Sequence, residues 1–269
     1  MKAYIYYSSA EAERNRAFID DLMLHAAKLG LSLNLVVDND EPDADADFIL
    51  FRDRNPELSA KWEAAGFQMI NRSEVNRIAN DKLKTFEFAA LQGVPTVPTR
   101  RLKSVGDIVR YPVVLKTVDG HGGSEVHLCN TTDEAESFLN QFRNRQLIAQ
   151  PYIESNATDV RVFMLGDDVL GAVKRIGKDS FKSNYTLGGS VEKYMLSSSQ
   201  EIEVRKIACA LKSDYIGIDF LLLPDGGWLL NEIEDPVGAR SLYATHDFSV
   251  AQKLLERVMS VRQKKSWKP

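Results

Sequence analysis

Two apolar segments joined by a tight turn constrain the C-terminal half of this chain more than any other feature. The segments "YIGIDFLLL" (215–223) and "WLLNEIE" (228–234) are separated only by "PDGG", a sequence typical of the turn in an antiparallel hairpin. Side chains two apart on a strand share a face, so Glu232 and Glu234 lie together while Ile233 points into the protein. Antiparallel pairing brings Asp219 near both glutamates, although the register is open.

Three carboxylates that meet without basic neighbours predict a site for a hard cation, magnesium or manganese. Two glutamates about 7 Å apart on one face repel each other unless a cation lies between them. The alternative is that one or more of the three simply face solvent at the edge of a sheet. On the first interpretation, the metal ligands are Asp219, Glu232 and Glu234.

The first eighty residues alternate strand-like and helix-like segments. The runs "AYIYY", "LSLNLVV" and "FILF" indicate strands, and apolar residues at helical spacing indicate helices after the first and third of them. This alternation favours a small parallel α/β unit over residues 1–79. Because 269 residues exceed what one small core needs, a second unit over residues 80–269 is expected.

The remaining sequence predicts two further α/β subdomains. A helix from Asp81 to Gly93 and the proline-rich break "GVPTVPT" come first. A small subdomain over about 110–150 contains two strands around a glycine turn, then a helix and a strand. A larger subdomain over about 151–269 contains a hairpin across Gly166, a helix from Ser199, the two acidic strands and a last amphipathic helix.

A glycine-rich turn follows an apolar strand that ends in a lysine. In "VVLKTVDGHGGSEV", Lys116 ends the strand and Gly120, Gly122 and Gly123 form the turn. Glycines let backbone amides approach an anion closely, and the lysine adds a positive charge for phosphate. The glycines lead into a strand, so this is not a Walker A loop. Glycine in a β-hairpin is also common for geometric reasons alone.

A connector and a basic strand supply further candidates. The strand "LIAQ" runs into "PYIE", and a connector between two α/β units can offer backbone groups to a planar base. Further along, Lys174, Arg175, Lys182 and Asn184 provide local positive charge. The alternative is a solvated basic face, but Arg175 lies in an apolar strand pattern, which argues against it.

The overall balance excludes several classes of protein. A net charge of −4 gives no general attraction to nucleic acid or to anionic membranes, and no window approaches 18 consecutive apolar residues. Cys129 and Cys209 lie far apart within apolar patterns, so buried free thiols are expected rather than a disulfide or a metal site. Neither His121 nor His127 has a second ligand at zinc spacing. We expect a cytoplasmic protein and leave a homo-oligomer open.

Seven segments in a fixed order carry a family resemblance. They are "NDKLKTFEFAALQGVPTVPT", "PVVLKTVDGHGGSEV", "AQPYIE", "TDVRVFMLGDDVLGAVKRI", "FKSNYTLGG", "GIDFLL" and "LLNEIE". With these segments the chain resembles the ATP-grasp superfamily, and most closely its RimK-like glutamate-ligase branch, from about Phe51 to the end. The resemblance implies an α/β (α+β) ATP-grasp fold, in which a short parallel pre-domain precedes two α/β subdomains that sandwich ATP.

The resemblance implies a role for each candidate in nucleotide binding. The two lysines would contact the phosphates of ATP, the turn from Gly120 to Ser124 would close over them, and the hinge backbone would hold adenine. Glu154 or Asp159 would lie near the ribose. The implied nucleotide ligands are Lys82, Lys116, Gly120, Gly122, Gly123, Gln150, Pro151, Tyr152, Ile153 and Asp159.

The resemblance also implies a catalytic and a metal set. The catalytic residues beside the γ-phosphate and the acceptor would be Arg175, Lys182 and Asn184. Asp219 and Glu232 would bind Mg²⁺, with Mn²⁺ as an alternative. The family's third metal position is usually Asn, so Glu234 adds a negative charge there.

The implied activity is that of an ATP-dependent carboxylate–amine ligase that forms an amide through an acylphosphate. Its substrates would be a small-molecule carboxylate and an amine, such as an amino acid or a peptide. The alternatives are an ATP-grasp kinase that phosphorylates a hydroxyl group, and an ATP-binding module without turnover. The candidate clamps for a substrate carboxylate are Arg52, Arg54, Arg161 and Arg240.

Overall fold

A computed structural model describes residues 1–178 and 189–266, with side chains described up to residue 261. The strands are β1 (Lys2–Tyr7), β2 (Ser32–Val37), β3 (Phe48–Phe51), β4 (Met69–Ile70), β5 (Arg100–Leu102), β6 (Val113–Thr117), β7 (Val126–Cys129), β8 (Leu147–Pro151), β9 (Thr158–Leu165), β10 (Asp168–Ile176), β11 (Ser190–Lys193), β12 (Tyr215–Leu222) and β13 (Trp228–Glu234). The helices are α1 (Ser9–Arg14), α2 (Arg16–Lys28), α3 (Pro56–Ala64), α4 (Ser73–Ala79), α5 (Lys82–Leu91), α6 (Thr132–Gln141), α7 (Ser198–Leu211), α8 (Arg240–Thr245) and α9 (Val250–Ser266). The strands form three separate sheets.

The N-terminal sheet is parallel, with strand order β2-β1-β3-β4. Residues of β1 alternate between its two faces, as a strand buried on both sides requires. Ile5 packs in one cluster with Leu22 of α2 and Leu254 of α9, whereas Tyr6 packs against Trp62 of α3 on the opposite face. The C-terminal helix therefore completes the core of the N-terminal unit.

The central sheet is antiparallel, with strand order β11-β10-β9-β12-β13. Ile218 and Phe220 of β12 point to a core that includes Phe86 of α5 and Val204 of α7. Asp219 lies between those two apolar residues, so its side chain points to the opposite face. This face of the central sheet carries the polar residues described below.

The third sheet is antiparallel, with strand order β5-β8-β6-β7. One face packs against α6, where Leu115, Ala149 and Phe138 share a small cluster. This unit holds the glycine turn between β6 and β7. The mixed α/β fold class is confirmed: one parallel sheet precedes two antiparallel sheets.

Several local features differ from the sequence predictions. The first predicted helix is two helices, interrupted at Asn15, and the elements α4, α8, β4, β5 and β11 were not predicted. Cys129 is buried as expected, but Cys209 is exposed, so the prediction for that thiol is wrong. None of the described helices is both long and apolar enough to cross a bilayer.

Candidate active site

A cleft of about 250 Å³ lies where the three sheets face one another. Tyr7 of β1, Lys116 of β6 and Asp219 of β12 each form part of its wall. The predicted metal ligands, Arg175 and the ten implied nucleotide ligands line this cleft, whereas Glu154, Ser124 and Lys174 do not. The predictions for Lys182 and Asn184 lie outside the described residues.

The three acidic residues meet at one point of the cleft. Asp219 is the strand partner of Glu232, and Gly217 is the partner of Glu234. One carboxylate oxygen from each of the three acidic residues lies within 4.8 Å of the others. Ile233 is fully buried between the two glutamates, as the alternation predicts. The predicted convergence of the hairpin is therefore correct.

Basic neighbours surround this cluster, so the expectation of three carboxylates without them is wrong. Arg161 lies opposite Asp219 in the pairing of β9 with β12. Its guanidinium donates to both carboxylate oxygens of Asp219, at 2.7 and 2.6 Å, and lies 2.6 Å from Glu234. Directly opposed side chains of neighbouring strands are close enough to pair in this way. Arg161 therefore neutralises part of the charge that a cation would otherwise have to balance.

A second buried arginine extends the network. Arg175 of β10 lies opposite Asp159 of β9 and makes a two-pronged contact with it, at 2.6 and 2.7 Å. Its Nη2 also donates to Asp219 at 2.7 Å. Arg175 and Asp159 are both buried, which is the arrangement that buried charges require. Asp159 lines the cleft, but its carboxylate is engaged by Arg175.

The two arginines lower the pKa of both Asp219 and Glu234, but they outweigh the effect of burial only at Asp219. Burial alone would raise the pKa of Asp219, but Arg161 and Arg175 outweigh it and hold the pKa at about 2. Burial raises the pKa of Glu234; Arg161 opposes that shift, whereas the charges of Asp219 and Glu232 add to it. Glu234 is therefore the acid in this cluster that takes up a proton more readily than a free glutamate.

Two buried lysines lie next to the acidic cluster in the cleft. Lys116 donates from Nζ to the side-chain oxygen of Asn231 at 2.9 Å, and burial lowers its pKa to about 8. Lys82, at the start of α5, contacts the carbonyl of Gly120 and lies 3.4 Å from Glu232. Both lysines are 7% exposed. The sequence analysis did not identify Asn231 as a site residue. Its position next to Glu232 on β13 could have indicated that it lies near the cleft.

The glycine turn between β6 and β7 forms one rim of the cleft. Gly122 and Gly123 have φ values of 68° and 79°, in the left-handed region that glycine adopts without strain. A methyl group on Gly120 would collide with the side chains of Thr117 and Glu125. The turn therefore depends on glycine at all three predicted positions.

The end of β8 and the connector that follows it form another part of the cleft wall. Gln150, Pro151, Tyr152 and Ile153 all line the cleft, and the side chain of Gln150 donates to Thr99 at 2.8 Å. That contact occupies a side-chain donor of Gln150, and the backbone N–H of Tyr152 donates to the carbonyl of Pro112 at 3.4 Å. Among the described residues that line the cleft, Asp159 is present and Glu154 is not.

The donors of the acidic cluster fit a divalent cation. Carboxylate oxygens suit Mg²⁺ and Mn²⁺, and Asp219, Glu232 and Glu234 are close enough to share one ion. Asp219 and Glu234 are held by Arg161 here, so metal binding requires these carboxylates to exchange a guanidinium for the ion. The site is thus compatible with a metal at the cost of an ion pair.

Comparisons with known proteins indicate the family of the chain and the class of its fold. Residues 79–258 match the model of the RimK-like ATP-grasp domain. The chain is 28% identical to an uncharacterized protein of Mycoplasma genitalium over 264 residues, which covers 95% of this chain and 91% of that protein. It is 29% identical to the ribosomal protein bS6–L-glutamate ligase of Escherichia coli O81 over 206 residues, covering 72% and 68% of the two chains.

The fold also matches a solved structure of a ligase. The D-alanine–D-alanine ligase from Bacillus anthracis, complexed with ATP, superimposes with a TM-score of 0.76 at 18% sequence identity. The match covers 100% of this chain and 100% of the other. At this level of identity the likeness concerns the fold.

Proposed function

The chain belongs to the RimK-like ATP-grasp family, and on that premise we propose that it is an ATP- and magnesium-dependent carboxylate–amine ligase. A substrate carboxylate attacks the γ-phosphorus of ATP, which forms an acylphosphate and releases ADP. The nitrogen of an amine then attacks the acyl carbon, the C–O bond to phosphate breaks, and an amide forms as the amine loses a proton. Covalent attachment to the protein is not needed for either step.

One observation carries this proposal: two buried lysines and three carboxylates from separate elements converge on a single cleft between the sheets. The lysines come from α5 and β6, and the carboxylates come from β12 and β13. Lys82 lies 3.4 Å from Glu232 of the acidic cluster. Burying this much charge is costly unless a ligand uses it. A polyphosphate with a divalent cation presents both the negative and the positive charge that such a cleft requires.

Each part of the cleft has a role in the proposal. Lys82 and Lys116 bind the phosphates, and the amides of the turn at Gly120–Gly123 close over them. The backbone of Gln150–Ile153 receives the adenine. Ligand sites typically combine apolar walls with a few polar groups, and a connector of this kind can offer both to a planar base. Magnesium bound by the acidic cluster supplies charge neutralisation for the phosphate oxygens.

Arg161 and Arg175 supply positive charge close to the reacting groups. Both are buried and held in place by carboxylates, so their guanidinium groups are pre-organised. If Asp219 were to bind a cation, Arg161 would lose one of its two carboxylate partners, and the donors released would face the cleft for an anion. We propose that Arg161 binds the phosphoryl oxygen atoms that gain negative charge during phosphate transfer.

The names of the related proteins indicate the class of substrate. The Escherichia coli relative joins L-glutamate to a ribosomal protein, and the Bacillus anthracis structure contains ATP. We propose ATP as the nucleotide, and an amino acid or peptide as carboxylate and amine substrates. ATP and free thiols both belong to the cytoplasm, where the proposal places the chain.

The test is phosphate release from ATP across a library of amino acids and peptides, with mass spectrometry of the products. The proposal expects ADP, phosphate and a product that has lost one water relative to its two substrates. Hydroxylamine in place of the amine should yield a hydroxamate. A stable phosphorylated hydroxyl product would instead identify a kinase, and ATP binding without turnover on any substrate pair would identify a binding module.

A further inference from the structure

Arg52 is a buried guanidinium without a carboxylate partner. It is 5% exposed and follows β3 in the N-terminal unit. Its Nε donates to the hydroxyl of Tyr7 at 3.3 Å, and its Nη2 donates to the carbonyl of Val237 at 2.6 Å. Within the described part of the chain, no carboxylate oxygen lies within 4.0 Å of it, and Nη1 has no hydrogen-bond partner.

The side chain of Arg52 is fixed by its surroundings. The guanidinium lies over the rings of Phe18 and Tyr215, at 5.3 and 5.7 Å from their centroids. The nearby acid Asp235 is engaged elsewhere, because Asn71 and Asn76 donate to its two oxygens at 2.9 and 3.1 Å. Aromatic faces and neutral acceptors orient a cation but do not neutralise it. Asp235 acts on Arg52 only through space, so the fixed guanidinium has no carboxylate in contact with it among the described residues.

Arg52 lines the cleft together with two further arginines. Arg54 also lines the cleft, is half-buried, and makes no side-chain hydrogen bond or ion pair to any described residue. Arg240 lines the same wall from the start of α8 and donates to the backbone carbonyl of Arg14 at 3.0 Å. The arginines of the central sheet differ, because Arg161 and Arg175 both have carboxylate partners.

We propose that Arg52 and Arg54, with Arg240 on the same wall, form a subsite for a substrate carboxylate that the reaction does not consume. The inference rests on the proposed ligase function and names its substrate class: an amino acid or peptide with at least one carboxylate besides any that reacts. A carboxylate pairs in two-pronged fashion with guanidinium and would compensate the buried charge of Arg52. The phosphates of ATP have their own cations in Lys82 and Lys116.

Two of the three arginines lie outside the residues that match the family model. Arg52 and Arg54 precede residues 79–258, which match the family model. Arg52 and Arg54 therefore belong to the N-terminal unit, whereas Arg240 lies within the matched range. The subsite selects a substrate without taking part in phosphate transfer. A substrate whose free carboxylate is converted to an amide keeps its shape and loses only the charge that the arginines bind.

The test uses the full chain and three matched probes: L-glutamate, and its two monoamides L-glutamine and L-isoglutamine. Calorimetry in the presence of magnesium and a non-hydrolysable ATP analogue measures binding, and phosphate release from ATP with an amine library measures KM and kcat. The variants are Arg52→Gln and Arg54→Gln. The control is Arg16→Gln, which removes an exposed charge from the same unit and does not line the cleft.

The proposal expects the wild type to bind L-glutamate about 10- to 100-fold more tightly than at least one amide, as loss of a charge-assisted hydrogen bond predicts. Arg54→Gln and Arg52→Gln should lose that preference and raise KM more than they lower kcat, whereas Arg16→Gln should keep it. If Arg52→Gln fails to fold, the half-buried Arg54→Gln still decides.

Two results would overturn the subsite. One is equal binding of the acid and both amides by the wild type; the other is an Arg54→Gln variant that keeps the full preference. Arginine-dependent binding of L-glutamate without phosphate release under any condition would contradict the ligase function but leave the subsite intact. If phosphate release occurs at the same rate with the acid and its amides, and at the same rate in Arg54→Gln, the ligase function stands and the subsite is refuted.

Discussion

Replacing Lys116 with methionine should weaken ATP binding and stabilise the nucleotide-free protein at the same time. Lys116 is 7% exposed, and its Nζ donates to one neutral partner, Asn231. Burial lowers its pKa from 10.5 to about 8. At about 1.4 kcal/mol per pKa unit, this shift means that burial disfavours the charged amine by roughly 3 kcal/mol.

The two effects have separate magnitudes. Methionine of similar length removes the buried charge but leaves Asn231 without its donor, which costs about 1 kcal/mol and leaves a net gain of roughly 2 kcal/mol. For a chain of this size, that gain raises the melting temperature by about 5 °C. Loss of the charge that faces the phosphates should weaken ATP binding by on the order of 2 kcal/mol, or about 30-fold.

The pH dependence of stability provides a further check on the same variant. Because the folded protein releases the Lys116 proton at a lower pH than the unfolded chain does, the wild type should gain stability as pH rises from about 8 to 10.5. Lys116→Met should lack that gain.

Calorimetric titration with ATP and thermal unfolding at several pH values measure both effects of Lys116→Met. The control is Lys61→Met, which removes an exposed charge from α3 and should change neither quantity. Unchanged ATP affinity in Lys116→Met would remove this lysine from the site. A lowered melting temperature would refute the reasoning on burial.

Three further changes test the cleft. Glu232→Ala should abolish turnover, Glu234→Asn should retain much of it, and Glu234→Ala should raise the magnesium concentration needed for activity. A magnesium titration at saturating ATP distinguishes the three variants. A wild-type curve for Glu234→Ala would show that Glu234 does not bind the metal. Arg175→Met removes a buried guanidinium that contacts both Asp159 and Asp219 and should lower stability by about 3 kcal/mol or more, measured as a lower urea midpoint. An unchanged midpoint would contradict the contribution of these buried ion pairs. Gly120→Ala should distort the turn by collision and weaken ATP binding in calorimetry, and wild-type affinity would show that the turn does not cover the phosphates.

The local features of the fold followed from the sequence because their signals lie within a few residues. The turn "PDGG" fixes the pairing of β12 with β13, and alternation places Glu232 and Glu234 on one face with Ile233 beneath. Asp81 caps α5 as its position before an apolar helical pattern predicts, and it accepts from the backbone of Lys84 at 3.0 Å. Strands and helices with such signals were predicted close to their observed bounds.

The ion pairs of the cleft did not follow, because they depend on pairing between distant strands. Arg161 and Asp219 are 58 positions apart and meet only through the register of β9 with β12. The burial of Arg52 likewise depends on contacts with Tyr215 and Val237, far along the chain. Sequence patterns identified these arginines as candidates without giving their partners.

The error at Cys209 has a different cause. On α7 the buried positions include Val204, Ile207, Ala208 and Leu211, which form one helical face. Cys209 falls outside that face. The spacing of apolar residues therefore contained the signal, and the presence of Cys209 within an apolar run concealed it.

The central claim is that a substrate carboxylate attacks the γ-phosphorus of ATP, and oxygen-isotope transfer tests it most directly. The carboxylate substrate identified by the library is labelled with ¹⁸O in both carboxylate oxygens and supplied with ATP, magnesium and the amine. An acylphosphate places one labelled oxygen in the released phosphate, and mass spectrometry should find one ¹⁸O atom per phosphate formed. Unlabelled phosphate accompanied by an amide product would contradict the account.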